Sequence, residues 1–380
     1  MAYAVIKYLT RKLMFFWSWL DTALLLLTFA ILLSTFMNYT KDSALESVGS
    51  LYLFIFYFIF SRLLAFFSNT EYIVKTGFKG SLIVCVIAGW IGMLIYLIFD
   101  NSEFVTLYFN YPYLGDVVRM IGFSSSSNVL VSNICIAGLI LIPLSKKIPL
   151  WVWIVVLVTI LFTLSKEIFL YAAGGAIFFL YKKGKIKRLG LIALMSMIAF
   201  IYIGLIYFTF DLNKKNLTEP INPLVVSEEP IHLGNFDVYP TIYLHLAKSE
   251  LNISQNYWPW GCGKGNFIHT LAEEKANGNY PEKMLLNEPH DIYPGLVAEC
   301  GLAGLIALIF FPFAIWKTTQ EFRNNNQPPF LVTSLFFILI LITIESLALG
   351  TLQFRHYWIV FAVLNAFYLK NKFQTFEKVN

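Results

Sequence analysis

Long apolar stretches follow one another along almost the whole chain, and this pattern restricts the fold more than any other feature. Of the 380 residues, 58% are hydrophobic and only 13% are charged, and the mean hydropathy is +0.66. A soluble domain of this size cannot bury so much apolar surface, so the composition predicts a polytopic membrane protein. Many aromatic residues fall near the ends of the apolar stretches, where membrane interfaces are expected.

Ten of these stretches have roughly the length that a helix needs to cross a bilayer. We place them at 20–37, 49–67, 80–99, 127–143, 149–164, 166–181, 189–210, 292–316, 330–350 and 355–369. Residues 1–19 are basic and aromatic, and they predict a helix that lies on the membrane surface. The predicted fold is therefore an all-α polytopic membrane protein with about ten transmembrane helices and one large loop.

Basic residues occur in clusters in every second connection between these stretches, whereas the other connections are nearly neutral or acidic. Because Lys and Arg are enriched on the cytoplasmic side of membrane proteins, this alternation predicts that both termini are cytoplasmic. Segment 1–210 then carries the surface helix and seven spans, 211–291 is an outer loop, and 292–380 carries three spans and a cytoplasmic tail. The clusters form no continuous basic face, so no nucleic-acid partner is predicted.

The outer loop 211–291 is polar and has no span of its own, yet part of it has helical spacing. The pattern predicts a helix over 266–276, capped by Asn266 and ended by Gly278, and a weaker one over 239–251. Cys262 and Cys300 could meet, and the sequence leaves their pairing open. No histidine or cysteine pair has metal-ligand spacing, so no metal is predicted.

Unusual polar residues gather on the outer side of this topology. They are Arg119, Lys166, Glu167, His290, Asp291, Glu299, Glu345 and Arg355. Polar groups at membrane depth are costly unless they face a cavity or one another, so they predict a site at the outer membrane face. The cations Arg119, Lys166 and Arg355 would suit an anionic head group such as a diphosphate.

Two further features lie in and after the loop. His290 could act as a general base near neutral pH, or it could only hydrogen-bond loop backbone. The glycine-rich stretch 261–267 is not a Walker loop; its backbone N–H groups could hold an anion, or it could be a plain tight turn. Gly301 and Gly304, three residues apart on the following helix, predict the close approach of another helix.

Three segments resemble motifs of the bacterial O-antigen ligases and the related O-antigen and exopolysaccharide polymerases. The first is Thr163-Leu-Ser-Lys166, which is similar to a Leu-Ser-Arg motif at the outer start of a span. The second is the glycine-rich stretch 261–267 in the large loop. The third is Pro289-His290-Asp291 followed by Gly301-x-x-Gly304, which is similar to Pro-His-Asn followed by Gly-x-x-Gly.

A weaker match runs from Arg119 to Asn128, and the likeness covers roughly residues 119–316. Two positions depart from the family pattern. Lys166 stands where the family usually has arginine, and Asp291 where it has asparagine, serine or glutamine. The loop contains no arginine, so Lys248 or Lys264 would have to supply a loop cation.

The resemblance implies a glycosyltransferase at the periplasmic face of the bacterial inner membrane that needs no metal or other cofactor. The donor would be a glycan on undecaprenyl diphosphate. The acceptor would be a sugar hydroxyl of lipid A–core for a ligase, or of another lipid-linked repeat unit for a polymerase. A transporter or flippase of lipid-linked glycan is the alternative, against which stand the large outer loop and the lack of ionisable residues at the membrane midplane.

Roles for individual residues follow from the same resemblance. His290 would deprotonate or position the acceptor hydroxyl, and Lys166 would act with Arg119 on the diphosphate. The residues expected to bind substrate are Arg119, Asn128, Lys264, Asp291, Glu299 and Arg355.

Overall fold

The computed structural model describes residues 16–111, 115–144, 148–212, 231–234, 236–282, 284–324, 330–347, 349–350, 352 and 354–379. About 75% of the described residues are helical. The helices are α1 Trp19–Met37, α2 Lys41–Phe66, α3 Thr70–Phe99, α4 Ser127–Leu144, α5 Leu150–Phe162, α6 Glu167–Lys182, α7 Arg188–Tyr207, α8 Ile242–Asn256, α9 Phe267–Ala276, α10 Ile292–Asn324, α11 Phe330–Glu345 and α12 Arg355–Val379. The strands are β1 Val105–Tyr111, β2 Gly115–Met120, β3 Phe208–Leu212, β4 Ile231–Leu233 and β5 Phe236–Pro240.

Each of the ten predicted spans coincides with one helix. Among the described residues, five helices are long and apolar enough to cross a membrane, namely α1, α2, α3, α7 and the part of α10 over Ile292–Phe322. Helices α4, α5 and α11 contain shorter apolar segments. Large apolar side chains such as Phe200, which is 79% exposed, lie on the surface of these helices, as lipid contact requires. The chain is therefore mainly helical and has the apolar helices of a membrane protein, while ten crossings and the sidedness of the loop remain predictions.

Local side-chain caps explain where the first two helices begin. Ser18 and Asp21 exchange hydrogen bonds with each other's backbone N–H groups in a capping box, at 2.8 and 3.0 Å. Thr40 and Ser43 form a second box that starts α2 at Lys41. This start lies well before the predicted residue 49, because two polar helical turns precede the apolar stretch.

The structure is compatible with the predicted all-α membrane fold, but short strands occur in connections where the sequence analysis predicted only irregular loop or helix. In the connection 100–126, β1 and β2 form an antiparallel hairpin that pairs Thr106 with Arg119. Strand β5 lies between β3 and β4 in a second antiparallel sheet. Helix α7 ends at Tyr207 rather than at 210, because the β-branched and aromatic residues that follow join this sheet.

The two helices predicted within the outer loop are present. Helix α9 lies within the predicted range 266–276, whereas α8 begins and ends later than the predicted range 239–251 because Tyr239 belongs to β5. Helices α10 and α12 both continue beyond the predicted ends of their spans. The predicted surface helix over 1–19 falls mostly outside the described residues, as does 213–230 of the loop.

The chain forms two compact units. The first unit contains Met1–Val74, Leu246–Ile342 and Leu349–Asn380, and the second contains Lys75–His245 and Thr343–Ala348. In the first unit, α10 packs against α1 and α12 packs against α2. In the second unit, α6 packs against α7 and α4, and an apolar core joins α3, the hairpin, α4 and α5 through Leu82, Met93, Val105, Met120, Leu130, Ile134, Ala137, Leu141 and Val156.

A buried polar network connects α1, α2 and α12 in the first unit. Arg62 donates to both carboxylate oxygens of Asp21, at 2.7 Å each. Tyr57 and Asn365 donate to Asp21 Oδ1 at 2.9 and 3.0 Å. All four side chains are buried, and with the Ser18 N–H the carboxylate exchanges hydration for five protein donor contacts.

Candidate functional sites

The predicted site residues fall into two groups, one in each compact unit. Arg119, Asn128 and Lys166 belong to the second unit, and Lys264, His290, Asp291, Glu299 and Arg355 belong to the first.

In the second unit, close backbone packing places Arg119 at the end of β2. Gly122 follows this strand with a φ of +57°, and a Cβ there would lie 2.9 Å from the carbonyl oxygen of Ala88 in α3. The neighbouring Met120 is fully buried, and its side chain lies against Gly89 in the same helix. The end of β2 is therefore held directly on α3, and the position of Arg119 is determined by the hairpin.

Arg119 connects two of the segments on which the resemblance rests. Its Nε donates to the carbonyl oxygen of Thr163 at 2.7 Å, and its Nη2 donates to Asn128 Oδ1 at 3.2 Å. Ser165 Oγ donates to the same Asn128 oxygen at 3.1 Å. Arg119 is 9% exposed. Hydrogen bonds to neutral oxygen atoms orient the guanidinium without cancelling its positive charge.

The turn that carries the Thr163-Leu-Ser-Lys166 motif has an unusual backbone. Leu164 has a φ of +47°, in the left-handed region that side chains other than glycine seldom adopt. Such a conformation costs on the order of 1 kcal/mol or more and persists only where the surroundings impose it. Here Leu164 N–H donates to the carbonyl of Leu161 at 3.1 Å, and Ser165 N–H donates to Thr163 Oγ1 at 3.3 Å.

Lys166 and Glu167 follow this turn and lie at the start of α6. The Lys166 ammonium donates to the carbonyl oxygen of Leu205, and its side chain is half-buried. Glu167 is fully buried, and Tyr202 donates to its Oε1 at 3.4 Å. The positive charges that act on Glu167 come from Arg119 and Lys166. Two cations and one acid therefore lie close together in this unit.

In the first unit, the glycine-rich stretch wraps around Glu299. Cys262 N–H and Gly263 N–H donate to the carbonyls of Ala298 and Glu299, at 2.9 and 3.0 Å. Gly265 N–H donates to Glu299 Oε1 at 3.0 Å. The second and third segments of the resemblance are therefore in direct contact, although about thirty residues separate them in the chain.

Gly301 permits this contact. Its φ of 57° and ψ of −138° interrupt the helical geometry of α10. A Cβ at Gly301 would lie 2.0 Å from the carbonyl oxygen of Pro259, and Leu302 N–H donates to that same oxygen at 2.8 Å. At Gly301 itself the neighbour is loop backbone, while helix α1 packs against α10. At Gly304 the nearest atom is the carbonyl oxygen of Leu296, within α10 itself.

Lys264 and Glu299, both predicted to bind substrate, bind each other. Lys264 Nζ lies 2.6 Å from Glu299 Oε2, and both side chains are buried. Burial alone lowers the pKa of Lys264, but the charge and hydrogen bond of Glu299 outweigh it and raise that pKa above its ordinary value. Cys262 and Cys300 are buried nearby as free thiols, so the disulfide that the sequence left open does not form.

His290 lies immediately before α10, and a carboxyl group holds its backbone. Its N–H donates to Glu250 Oε1 at 3.0 Å, and its side chain is half-buried. The neighbouring Asp291 is buried, and burial together with the proximity of Asp291 raises the pKa of Glu250. Arg355, at the start of α12, is exposed.

Sequence reasoning missed Glu250, Tyr171 and Tyr202, all of which are buried beside predicted polar residues. Tyr171 donates to Glu345 Oε2 at 2.5 Å in the second unit. A signal for Glu250 was present in the sequence. It lies one helical turn after Leu246, so both residues are on the buried face of α8. The two tyrosines lie within apolar stretches. There, the spacing of residues along the sequence does not distinguish a tyrosine that forms a hydrogen bond from one that only packs against apolar neighbours.

Comparison with protein-family models and with curated proteins gives no match for this chain. Within the described ranges, no group of three or more His, Cys, Asp or Glu side chains is arranged to hold a metal ion. The function is therefore argued from the two groups of residues and from the resemblance of their motifs.

Proposed function

We propose that this protein is a metal-independent glycosyltransferase similar to O-antigen ligases, located in the bacterial inner membrane with its reaction at the periplasmic face. It moves a glycan from undecaprenyl diphosphate to a sugar hydroxyl of lipid A–core. One observation carries the proposal: within each unit, motif segments that are remote in sequence contact each other directly. Arg119 hydrogen-bonds to the Thr163 turn, and the glycine-rich stretch encloses Glu299.

The steric demands of the glycines support the same proposal. Gly261 has a φ of +76°, and a Cβ there would lie 2.4 Å from the Glu299 carbonyl oxygen. A Cβ at Gly301 would collide with the loop in a similar way. A glycine without a structural role would leave room for a Cβ atom, whether it lies in a polar loop or in an apolar helix. The motif glycines are thus needed to build the loop-to-helix junction beside His290.

Arg119 and Lys166 would bind the donor diphosphate. The bond between the anomeric carbon and the phosphate oxygen breaks in the reaction, and the electron pair leaves with undecaprenyl diphosphate. Oriented cations stabilise the negative charge that develops on such a leaving group. Arginine offers two parallel donors to phosphate oxygens, and lysine offers a point charge.

His290 would act on the acceptor. Its imidazole accepts the proton of the sugar hydroxyl while the hydroxyl oxygen bonds to the anomeric carbon of the donor. General-base assistance of this kind typically contributes about 10²–10⁴-fold to the rate. The imidazolium then returns its proton to water.

Complementation of two bacterial strains tests the proposal, one lacking its O-antigen ligase and one lacking its polymerase, each supplied with donor glycan genes. Attachment of long glycans to lipid A–core in the first strain, visible on a lipopolysaccharide gel, is the expected result. His290→Ala and Lys166→Ala should abolish attachment at unchanged protein level. The matched controls His269→Ala and Lys185→Ala change exposed side chains and should keep it.

Other outcomes separate the alternatives. A ladder of chain lengths restored only in the second strain would identify a polymerase that joins lipid-linked repeats. Normal transfer by both His290→Ala and Lys166→Ala would refute the assigned residues. Rescue of neither strain by stably inserted protein, with the donor verified, would favour transport of a lipid-linked glycan.

A further inference from the structure

Glu250 is a fully buried acid on a helix of the polar loop, and neither the predicted site nor the proposed mechanism uses it. It shares one face of α8 with Leu246 and Ile253, which are also fully buried. The i, i+4, i+7 spacing makes this the core-facing side of the helix. Burying a carboxyl group in such a position is costly unless hydrogen bonds compensate. The contacts of the Glu250 carboxyl group should therefore show what compensates the cost of burying it.

Both contacts of Glu250 lead to the chain at His290. Oε1 accepts the N–H of His290 at 3.0 Å. The carboxyl group of Asp291 is also buried, and it lies close enough to raise the pKa of Glu250. Two carboxyl groups that share a buried place do not readily ionise together.

Burial agrees with this conclusion. It raises the pKa of Glu250, and the nearby Asp291 carboxyl group raises it further, to about 11. Glu250 therefore keeps its proton throughout the neutral range, and its hydrogen bond with the His290 N–H does not depend on ionisation of this carboxyl group there.

We infer that Glu250 is a positioning residue for His290. The carboxyl group restrains the N–H of residue 290, so it holds the backbone that carries the His290 side chain. The packing leaves little room for adjustment, because a Cβ at Gly295 would lie 2.6 Å from Pro289 Cβ and 3.8 Å from Glu250 Cδ. The inference rests on the proposed function, in which the imidazole must meet the acceptor hydroxyl.

Three variants test this role in membrane vesicles from the complemented strain, with its own undecaprenyl-diphosphate-linked glycan as donor. Glu250→Gln keeps an acceptor for the His290 N–H and offers an N–H donor to Asp291, so its maximal rate should stay within about threefold of wild type. Glu250→Ala removes both contacts, and its maximal rate should fall about 10²-fold with little change in KM, the loss expected when a reacting group is misplaced by about 1 Å. Glu274→Ala removes another buried acid of the same unit and should not change the rate.

A second measurement does not depend on activity. Amide hydrogen exchange of the segment that contains His290 should accelerate in Glu250→Ala but not in Glu250→Gln or Glu274→Ala. If His290→Ala abolishes transfer while Glu250→Ala behaves as wild type in both assays, the inference fails and the proposed function stands. If wild-type protein transfers no glycan, the proposed function fails, and exchange alone decides whether Glu250 anchors His290.

Two further results would overturn the inference. Equal loss of rate in Glu250→Gln and Glu250→Ala would show that the hydrogen-bonding geometry is not what matters. Should Glu250→Ala fail to accumulate, Glu250→Asp replaces it, since this change withdraws the carboxyl group by one methylene. Glu250→Asp must then lose rate and exchange protection where Glu250→Gln does not, and equal behaviour of the two contradicts the positioning role.

Discussion

Replacing Lys264 by methionine should destabilise the first unit, because Glu299 would lose the cation that neutralises it. The Lys264 Nζ lies 2.6 Å from Glu299 Oε2, and both side chains are buried. After the change, Gly265 N–H at 3.0 Å would still contact the carboxylate, but one hydrogen bond does not replace a buried ion partner. Removing one member of a buried ion pair costs about 3–5 kcal/mol in the free energy of unfolding.

A double-mutant cycle isolates the pair from other effects of the substitutions. Glu299→Gln alone places an amide against a buried ammonium and should also destabilise. The double variant removes both charges, so it should be less destabilised than the sum of the two single variants, with a coupling free energy of about 2–3 kcal/mol. Lys248→Met is the matched control, since Lys248 is exposed and is the other lysine that the resemblance proposed as a loop cation.

The buried thiols provide the assay. Cys262 and Cys300 are free and buried, and burial raises the pKa of Cys262 to about 12, so it reacts slowly in the folded protein. Thermal unfolding in detergent can thus be followed with a dye that fluoresces on reaction with thiols. Glycan transfer is measured in parallel, below the melting temperature of each variant.

Two results would refute the reasoning. A Lys264→Met variant as stable as wild type would show that the ion pair contributes no stability. A variant that melts normally yet no longer transfers glycan would instead assign Lys264 to substrate binding, as the resemblance implied.

Three further predictions concern residues outside this pair. Asp21→Ala should destabilise by about 3–5 kcal/mol, because Arg62 would remain buried without its carboxylate, and Asp21→Ala melting no lower than wild type would contradict this. Gly301→Ala should lower the unfolding free energy by at least about 2 kcal/mol through overpacking and backbone strain, whereas Gly204→Ala, with no atom within 4 Å of the added Cβ, should be neutral or stabilising in the same thermal assay. Because the folded pKa of Glu250, about 11, lies above the ordinary 4.5, the folded state holds a proton that the unfolded state releases. Stability should therefore fall as pH rises between these values, by at most about 1.4 kcal/mol per pH unit, and Glu250→Gln should flatten that dependence in unfolding measurements across pH.

Sequence reasoning located the helices well, since apolar stretches and helical spacing are local properties of the chain. It placed helix boundaries less well, as at α2, where the Thr40 capping box begins a helix before its apolar residues. It missed the hairpin of β1 and β2, although β-branched and aromatic residues are frequent there, because strand pairing depends on a partner segment. Several polar residues of the candidate sites were noticed because a polar side chain at the end of an apolar stretch is energetically costly to bury.

The sequence did not predict which groups these polar residues contact. Lys264 and Glu299 were both expected to meet substrate, yet the tertiary structure pairs them with each other. Charge and spacing show that a buried cation needs a partner, but not whether that partner is a ligand or another side chain.

The sequence alone determined that this chain is built of apolar helices, and that a polar loop ends at a histidine beside a glycine-bearing helix. These features follow from composition and short-range pattern, which act through local propensity and transfer from water. Only the tertiary structure decided that Gly301 receives loop backbone and that Glu250 lies against His290. Both contacts join residues about forty positions apart in the chain, and they form only when the folded backbone brings the two groups together.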